Sequence, residues 1–401
     1  MSRPSGPIPA VLLGGTGTAL AVTRALGVAG VPVTILGDGR NDIVARRSRY
    51  CSHYEHFPVP HDSRPPPPVE GWLKWLKRCS PSVVLPCGDD GLELVARHRE
   101  ELESVGHRPI EANDAVLLAM LDKVETYRLA AALGIGVPRT VQVDSLESAR
   151  ASVEDGLGYP CAVKPVRSDR VQRDLPGFDA PKGAMVWDDA SLRRHVEPMV
   201  QIGLPVLVTE FIPGSDDRFC SYYSYLDDQG APLFNFTKRK LRQFPPRFGG
   251  GTYHVTAWQP DVAELGLRFF QGVGLRGLGN VEFKRDERDG QLKLIECNAR
   301  FTLATSQVRR AGIDLAMIAY ARLTGLPLPP MDSFRDGVRL WYPGLDLRAM
   351  LRYRAEGELT TAQWARTLAH RQHLPVFDVR DPVPFLAAVR AHLRRMRRPA
   401  G

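Results

Sequence analysis

Apolar and polar positions along the chain fall into three successive patterns. Residues 9–13 (PAVLL) are a short unbroken apolar run, as in a strand buried on both faces. A glycine-rich turn at Gly14, Gly15 and Gly17 leads into a helical period over 18–29, and a second apolar run occupies 31–36. Residues 82–86 repeat the strand pattern, followed by CGDD and a helix from Gly91. Strand, helix and strand in this order predict a small parallel α/β domain over about 1–112, crossed by a proline-rich surface connection at 60–68. From Asp114 the pattern changes to two helical segments, DAVLLAML and KVETYRLAAALGI. Strand-like segments then follow at 159–165, 205–211, 219–226, 233–240, 280–284 and 292–298. This middle region reads as an α+β unit rich in antiparallel strands, and the tail from Asp332 onward reads as helical and basic. The fold class is thus α/β together with α+β.

The segment NVEFKRDERDGQLKLIECNAR at 280–300 carries the most specific chemistry. It reads as a hairpin whose three-residue loop, Arg288-Asp289-Gly290, places glycine at a left-handed position. Glu287 and Gln291 then flank the loop, and Glu282 lies directly opposite Glu296, with Asn298 on the same face two residues on. A two-residue Asp-Gly turn would instead send the two glutamates to opposite faces. In the first register two carboxylates and an amide oxygen converge, a hard-oxygen set suited to Mg²⁺ together with phosphate oxygens and water.

Cationic residues stand at matching places. Lys123 opens a helical segment, and Lys164 closes the strand CAVKP between apolar residues and a proline, where an ammonium is costly unless it meets an anion. Glu210 ends an apolar strand and leads into Phe211-Ile212-Pro213-Gly214, a hinge whose backbone groups suit a planar base. The basic loop KRKLRQFPPRFGGGT at 238–252 offers Arg239, Lys240 and Arg247 to an anionic substrate. The formal charge of +8 is concentrated in the C-terminal tail, and small anionic ligands account for the remainder without nucleic acid. The six cysteines form no Cys-x-x-Cys pair and most are flanked by apolar residues, so reduced thiols are expected. No apolar run reaches the ~18–20 residues of a membrane span, and the N-terminus lacks a secretory h-region, so a cytoplasmic protein is expected.

The series Lys123, VKP at 163–165, EFIPG at 210–214, NVEF at 280–283 and IECNAR at 295–300 resembles the ATP-grasp superfamily. It is most similar to the carbamoyl-phosphate-synthase and biotin-carboxylase branch, and within it to bacterial carboxylate–amine ligases of the D-aspartate-ligase kind. The resemblance covers about residues 8–330. It implies a pre-ATP-grasp α/β domain (1–112), a small lid subdomain (113–204), a catalytic subdomain (205–330) and a basic helical extension (331–401). It further implies ATP with Mg²⁺, or Mn²⁺ in its place. Lys123 and Lys164 are expected at the phosphates and the adenine side. Glu210, Phe211 and Ile212 are expected at the adenine, and Asp217 at the ribose. Glu282, Glu296 and Asn298 are expected to hold one or two metal ions with Glu296 bridging, and Arg300 to lie by the transferred phosphoryl group. Family members often carry a glycine-rich loop after the second lysine. This chain has VRSDRVQRDLPGFDAPKG instead, which hands the phosphate contact to Arg167, Arg170 and Lys182.

The activity so implied is activation of a carboxylate as an acyl phosphate and its coupling to an amine. Alternatives are an alcohol or thiol acceptor, or a nucleotide-binding module without catalysis. The expected partners are a small acid and an amine, with a homodimer by analogy. The apolar stripe Phe385, Leu386, Val389 and Leu393 reads as a peripheral helix docked on the protein rather than on an anionic membrane. The GGTGT turn lacks the third glycine or alanine of a dinucleotide fingerprint, so it reads as a structural turn rather than a nicotinamide site.

Overall fold

The structure, a computed structural model, describes residues 6–38, 44–57, 69–166, 175 and 183–396. The chain builds three sheets. The first is parallel throughout, with strands β1 (Ala10–Leu13), β2 (Val33–Gly37), β3 (His53–His56), β4 (Val83–Pro86) and β5 (Arg108–Pro109) in the order β3-β2-β1-β4-β5. Every residue of β1 and β4 is buried, which is what their unbroken apolar runs require. Gly14, at φ 98°, makes the turn out of β1, and the Thr16 side chain caps the helix Gly17–Val28 by accepting from the Thr18 amide. The strand order reverses between β1 and β4. At that switch point Cys87 and Gly88 lead into the helix Asp89–Ser104, which brings Asp89 to the carboxyl end of the sheet.

The second sheet has four antiparallel strands, β6 (Thr140–Val143), β7 (Cys161–Pro165), β8 (Ala184–Val186) and β9 (Val206–Glu210), ordered β6-β9-β7-β8. The third has seven: β10 (Phe219–Leu226), β11 (Phe236–Phe244), β12 (Gly250–Thr256), β13 (Gly277–Arg285), β14 (Leu292–Asn298), β15 (Arg339–Trp341) and β16 (Gln372–His373), ordered β14-β13-β10-β11-β12-β15-β16. On one face of this sheet Tyr222, Val281, Phe283, Leu294 and Cys297 pack against Phe269 and Phe270 of the helix Pro260–Gly272. The opposite face is the floor of the cleft described below.

The hairpin β13–β14 reaches the expected pairing of Glu282 with Glu296 by another route. The loop has four residues, 287–290, because the Asp286 amide donates to the Gln291 carbonyl (2.9 Å) and Gly290 takes φ 72°. That extra loop residue slips the register by one, and Phe283 pairs with Leu294. A bulge at Ile295, which has no partner on β13, restores the register and turns Glu296 and Asn298 to the cleft.

The C-terminal region is more than a helical appendage. β15 extends the seven-stranded sheet antiparallel to β12, and β16 pairs parallel to β15. Asp346 of the helix Pro343–Ala355 is fully buried and accepts from Arg242 Nε and Nη2 (both 2.8 Å), Thr252 Oγ1, Trp341 Nε1 and Trp364 Nε1. Asp381 ties the same region to the N-terminal domain through Arg24 Nε (2.9 Å) and Ser48 Oγ (2.7 Å). The apolar stripe expected to dock faces outward instead: Leu386, Val389 and Leu393 of the helix Val383–Met396 are exposed, and half-buried Phe385 packs edge-on against Phe377, itself exposed. Among the described residues no helix is long and apolar enough to cross a membrane.

Candidate active site

A cleft of about 400 Å³ lies over the free face of the seven-stranded sheet, walled by β7, the helix Lys123–Ala132 and Asp89 of the first domain. Strand pairing fixes the layout of its floor. Lys238 pairs with Ser221, Ser221 with Glu282, and Glu282 with Glu296, so these four form one row across β11, β10, β13 and β14. All four line the cleft. The adjacent row carries Tyr223, Asn280 and Asn298. On the other side Phe219 pairs with Lys284 and Lys240 with His254.

The two glutamates have different surroundings. Glu282 is largely buried and receives Lys240 Nζ at 2.8 Å, whereas Glu296 is exposed to the cleft. Asn298 lies beside Glu296 on the cleft wall. Two carboxylates from facing strands with an amide oxygen at hand suit a hard divalent cation that completes its shell with phosphate and water. No group of three or more His, Cys, Asp or Glu side chains suited to a metal occurs among the described residues, so a metal here depends on those other oxygens.

Cations converge from three directions. Lys123 is the first residue of its helix, and its ammonium donates to the Val166 carbonyl at 3.2 Å. A positive charge is unfavourable at a helix N-terminus, and the Asp122 cap, which accepts from the Val124 and Glu125 amides, offsets it. Burial, with Lys123 nearby, pushes the Lys164 ammonium down to about 8. Lys284, which none of the sequence motifs singles out, sits two residues from Glu282 on the same face of β13. It is buried, its ammonium donates to the Ile212 carbonyl at 2.8 Å, and it lies over the Phe211 ring. Burial pushes it too down to about 8. Arg300 lines the cleft with Nε on Asp89 at 2.6 Å, so the first domain holds the guanidinium in place.

Several sequence expectations meet a different environment. The Glu210 carboxylate faces the hairpin loop, receiving Arg288 Nη2 at 2.5 Å and the Arg139 amide at 3.1 Å, rather than lying open to a base. Phe211 and Ile212 are engaged by Lys284 and stand outside the cleft lining. Asp217 accepts from Ser215 Oγ and from Arg239 Nη2. Arg239 therefore points away from the cleft, because alternation on β11 gives Lys238 and Lys240 the cleft face. Lys240 does line the cleft, bonded to Glu282. Arg247 lines it as well, at φ 72°, but its guanidinium is held by Glu356 (2.7 Å) and Glu358 (2.5 Å) of the C-terminal region. Arg167, Arg170 and Lys182 lie outside the described residues. All six cysteines are free, four of them buried.

No family model matches the chain. It is 25% identical over 331 residues to a D-aspartate ligase of Enterococcus faecium (strain Aus0004), covering 78% of this chain and 77% of that protein. It is 24% identical over 231 residues to a D-alanine–D-alanine ligase of Xanthomonas axonopodis pv. citri (strain 306), covering 53% of this chain and 67% of the relative. In two other relatives, a carbamoyl phosphate synthase section and a formate-dependent phosphoribosylglycinamide formyltransferase, the match spans about half of their length or less. Among solved structures, the ADP complex of an N5-carboxyaminoimidazole ribonucleotide synthetase superposes with a TM-score of 0.63 at 14% identity, over 84% of this chain and 82% of that one. The chain thus has the ATP-grasp fold, and in sequence it is similar to the D-aspartate and D-alanine–D-alanine ligases named here.

Proposed function

We propose that the protein is a carboxylate–amine ligase that activates an acid with ATP as an acyl phosphate and passes the acyl group to an amine. The observation that carries this reading is the pairing of Glu282 with Glu296 on the floor of one cleft with Lys123 and Lys164 on its walls. The relatives named as ligases of D-aspartate and of D-alanine support it.

Glu282, Glu296 and Asn298 would hold Mg²⁺, which supplies neutralisation of the charge that builds on the β- and γ-phosphate oxygens. Lys123 and Lys164 give the nucleotide phosphates two cations on the cleft wall, with Glu296 and Glu282 acting on Lys164 from the floor. Arg300, fixed by Asp89, presents a planar guanidinium toward the transferring group. A carboxylate oxygen attacks the γ-phosphorus, the bond from that phosphorus to the bridging oxygen breaks, and ADP leaves. The amine then attacks the acyl carbon, the C–O bond to phosphate breaks, and inorganic phosphate departs while the amine nitrogen gives up its proton. The protein holds the reactants in line and keeps water from the acyl phosphate.

The test is a pairwise screen of small acids and amines that reads ADP release, with hydroxylamine as a trapping nucleophile. ADP, phosphate and a hydroxamate are expected. AMP and pyrophosphate as products, or no ADP release with any pair, would overturn the reading.

A further inference from the structure

Among the cations on the cleft floor Lys238 stands apart. Lys240 is matched by Glu282, Arg300 by Asp89 and Arg247 by Glu356 and Glu358. Lys123, Lys164 and Lys284 form one electrostatic group, with Lys123 and Lys284 both acting on Lys164. Lys238 lies outside that group. It is 3% exposed, and among the described residues its ammonium meets a single polar partner, His254 Nδ1, at 3.1 Å. Its face also lies over the Tyr223 ring, 5.8 Å from the centroid.

The histidine is built to accept rather than to compete. Burial and the charges of Lys238 and Lys240 push its pKa well below the usual value, so the ring stays neutral. The ring bonds the backbone of Gly251, which leaves Nδ1 to receive the lysine. That approach requires glycine, because a Cβ at position 251 would come within 2.1 Å of His254 Nε2. One N–H of the ammonium is thus engaged, and among the described residues the other two meet no hydrogen-bond partner, while the residue lines the cleft. Along the row from Lys238 to Glu282 the residue between them is Ser221, whose small side chain leaves the floor open. The backbones of β11 and β13 are two strand spacings apart, about 10 Å, room for a small organic anion. A buried cation beside a neutral acceptor, facing an open strip that ends at the paired glutamates, is a receptor for a second anionic ligand distinct from the nucleotide.

We infer that Lys238, held by His254 as a positioning residue, anchors the carboxylate of the acid substrate above Ser221, in line with Glu282 and Glu296. This rests on the acyl-phosphate reading. It assigns the acid to a subsite separate from the lysines of the nucleotide end.

The test reads binding rather than turnover. The protein saturated with ADP and Mg²⁺ is titrated calorimetrically with a panel of C2–C5 mono- and dicarboxylic acids and with the L- and D-amino acids. At least one acid is expected to bind the wild-type chain. Lys238→Met should weaken that acid about ten-fold or more, while ADP affinity stays within about two-fold. Lys238→Arg should recover part of the loss, and His254→Leu should weaken the acid about three-fold or more with ADP unaffected. Circular dichroism and melting of each variant report that the fold is kept. Absence of acid binding to the wild-type protein, unchanged acid affinity in Lys238→Met, or a parallel loss of ADP affinity would each overturn the inference. An acid that binds through Lys238 yet drives no ADP release with any amine would sink the ligase reading and leave the subsite standing.

Discussion

The Tyr127 hydroxyl donates to the carbonyl oxygen of Ile295 at 2.9 Å, and Ile295 is the residue that bulges out of β14. The bulge decides where Glu296 points. With regular pairing from Leu292 onward, Glu296 would share the face of Leu292 and Leu294, which is core. A tyrosine from the helix that carries Lys123 therefore holds in place the backbone kink that delivers the carboxylate proposed to ligate the metal.

Tyr127→Phe keeps the ring, which is buried among apolar neighbours, and removes only this bond. A net loss of about 1 kcal/mol in positioning corresponds to roughly five-fold weaker Mn²⁺ binding in the presence of ADP. Electron paramagnetic resonance of free Mn²⁺ reads that affinity directly. ADP binding without metal should not move. Equal Mn²⁺ affinity in variant and wild type would remove Tyr127 from any role in setting Glu296.

The bulge was legible in the sequence, though easy to miss. Apolar residues alternate as Leu292 and Leu294 and then resume at Cys297 and Ala299, a change of phase that a regular strand cannot contain. The facing glutamates were foreseen because a loop one residue shorter and a strand without a bulge give the same pairing as the longer loop with one. The same parity argument along β11 separates Lys238 and Lys240 from Arg239, and along β13 it joins Lys284 to Glu282. What the sequence withheld is tertiary. Nothing near Glu210 announces that Arg288, 78 residues away, would take its carboxylate. The three-residue β15 and two-residue β16 are too short to show a period, so the C-terminal region looked purely helical.

Lys240 and Glu282 form a largely buried ion pair, with side chains 7% and 16% exposed. The same carboxylate is proposed to hold Mg²⁺, which would make lysine and metal rivals for its charge. Lys240→Met leaves Glu282 without its cation, a change that costs about 3–5 kcal/mol when a pair is fully buried and less here. The variant should melt earlier than wild type in chelator. Mn²⁺ should then raise its melting temperature by more than it raises that of the wild type, because the metal supplies the missing charge. Equal metal-induced shifts in the two proteins would show that Glu282 takes no part in metal binding.

Asp346 gathers Arg242, Thr252, Trp341 and Trp364 around one buried carboxylate, and so fastens the C-terminal region to β11 and β12. Asp346→Ala strands the Arg242 guanidinium, which is only 6% exposed in its side chain. We expect a loss of about 3–5 kcal/mol in urea unfolding. Truncation after residue 330 should be worse, since it also bares the edge of β12 that β15 covers. A truncated chain that melts like the full protein would show the extension to be separable from the catalytic sheet.

Lys164 is expected to give nucleotide binding a defined proton linkage. Its ammonium is pushed down to about 8 from an ordinary value of 10.5, chiefly by burial and then by Lys123, with Glu296, Lys284 and Glu282 also acting on it. In the unfolded chain it titrates near 10.5, so between about pH 8 and 10.5 the unfolded state holds the extra proton. The empty protein therefore carries the full cost of a desolvated ammonium below about pH 8 and is relieved of it as pH rises through that window. Phosphate oxygens beside the ammonium favour its charged form, and the bound pKa moves back up. Binding of ADP at pH 8 should then take up a fraction of a proton at this site, and binding at pH 6.5, where the lysine is already charged, almost none. Calorimetry in HEPES and in Tris, whose ionisation enthalpies differ, reads that uptake as a difference in apparent enthalpy. The dissociation constant should be flat up to about pH 8 and rise by up to a factor of ten per pH unit above it. In Lys164→Met this site's proton uptake should vanish, and ADP should bind more weakly at every pH. Proton uptake of the same size in Lys164→Met, or none in wild type at pH 8, would show that Lys164 does not meet the phosphates.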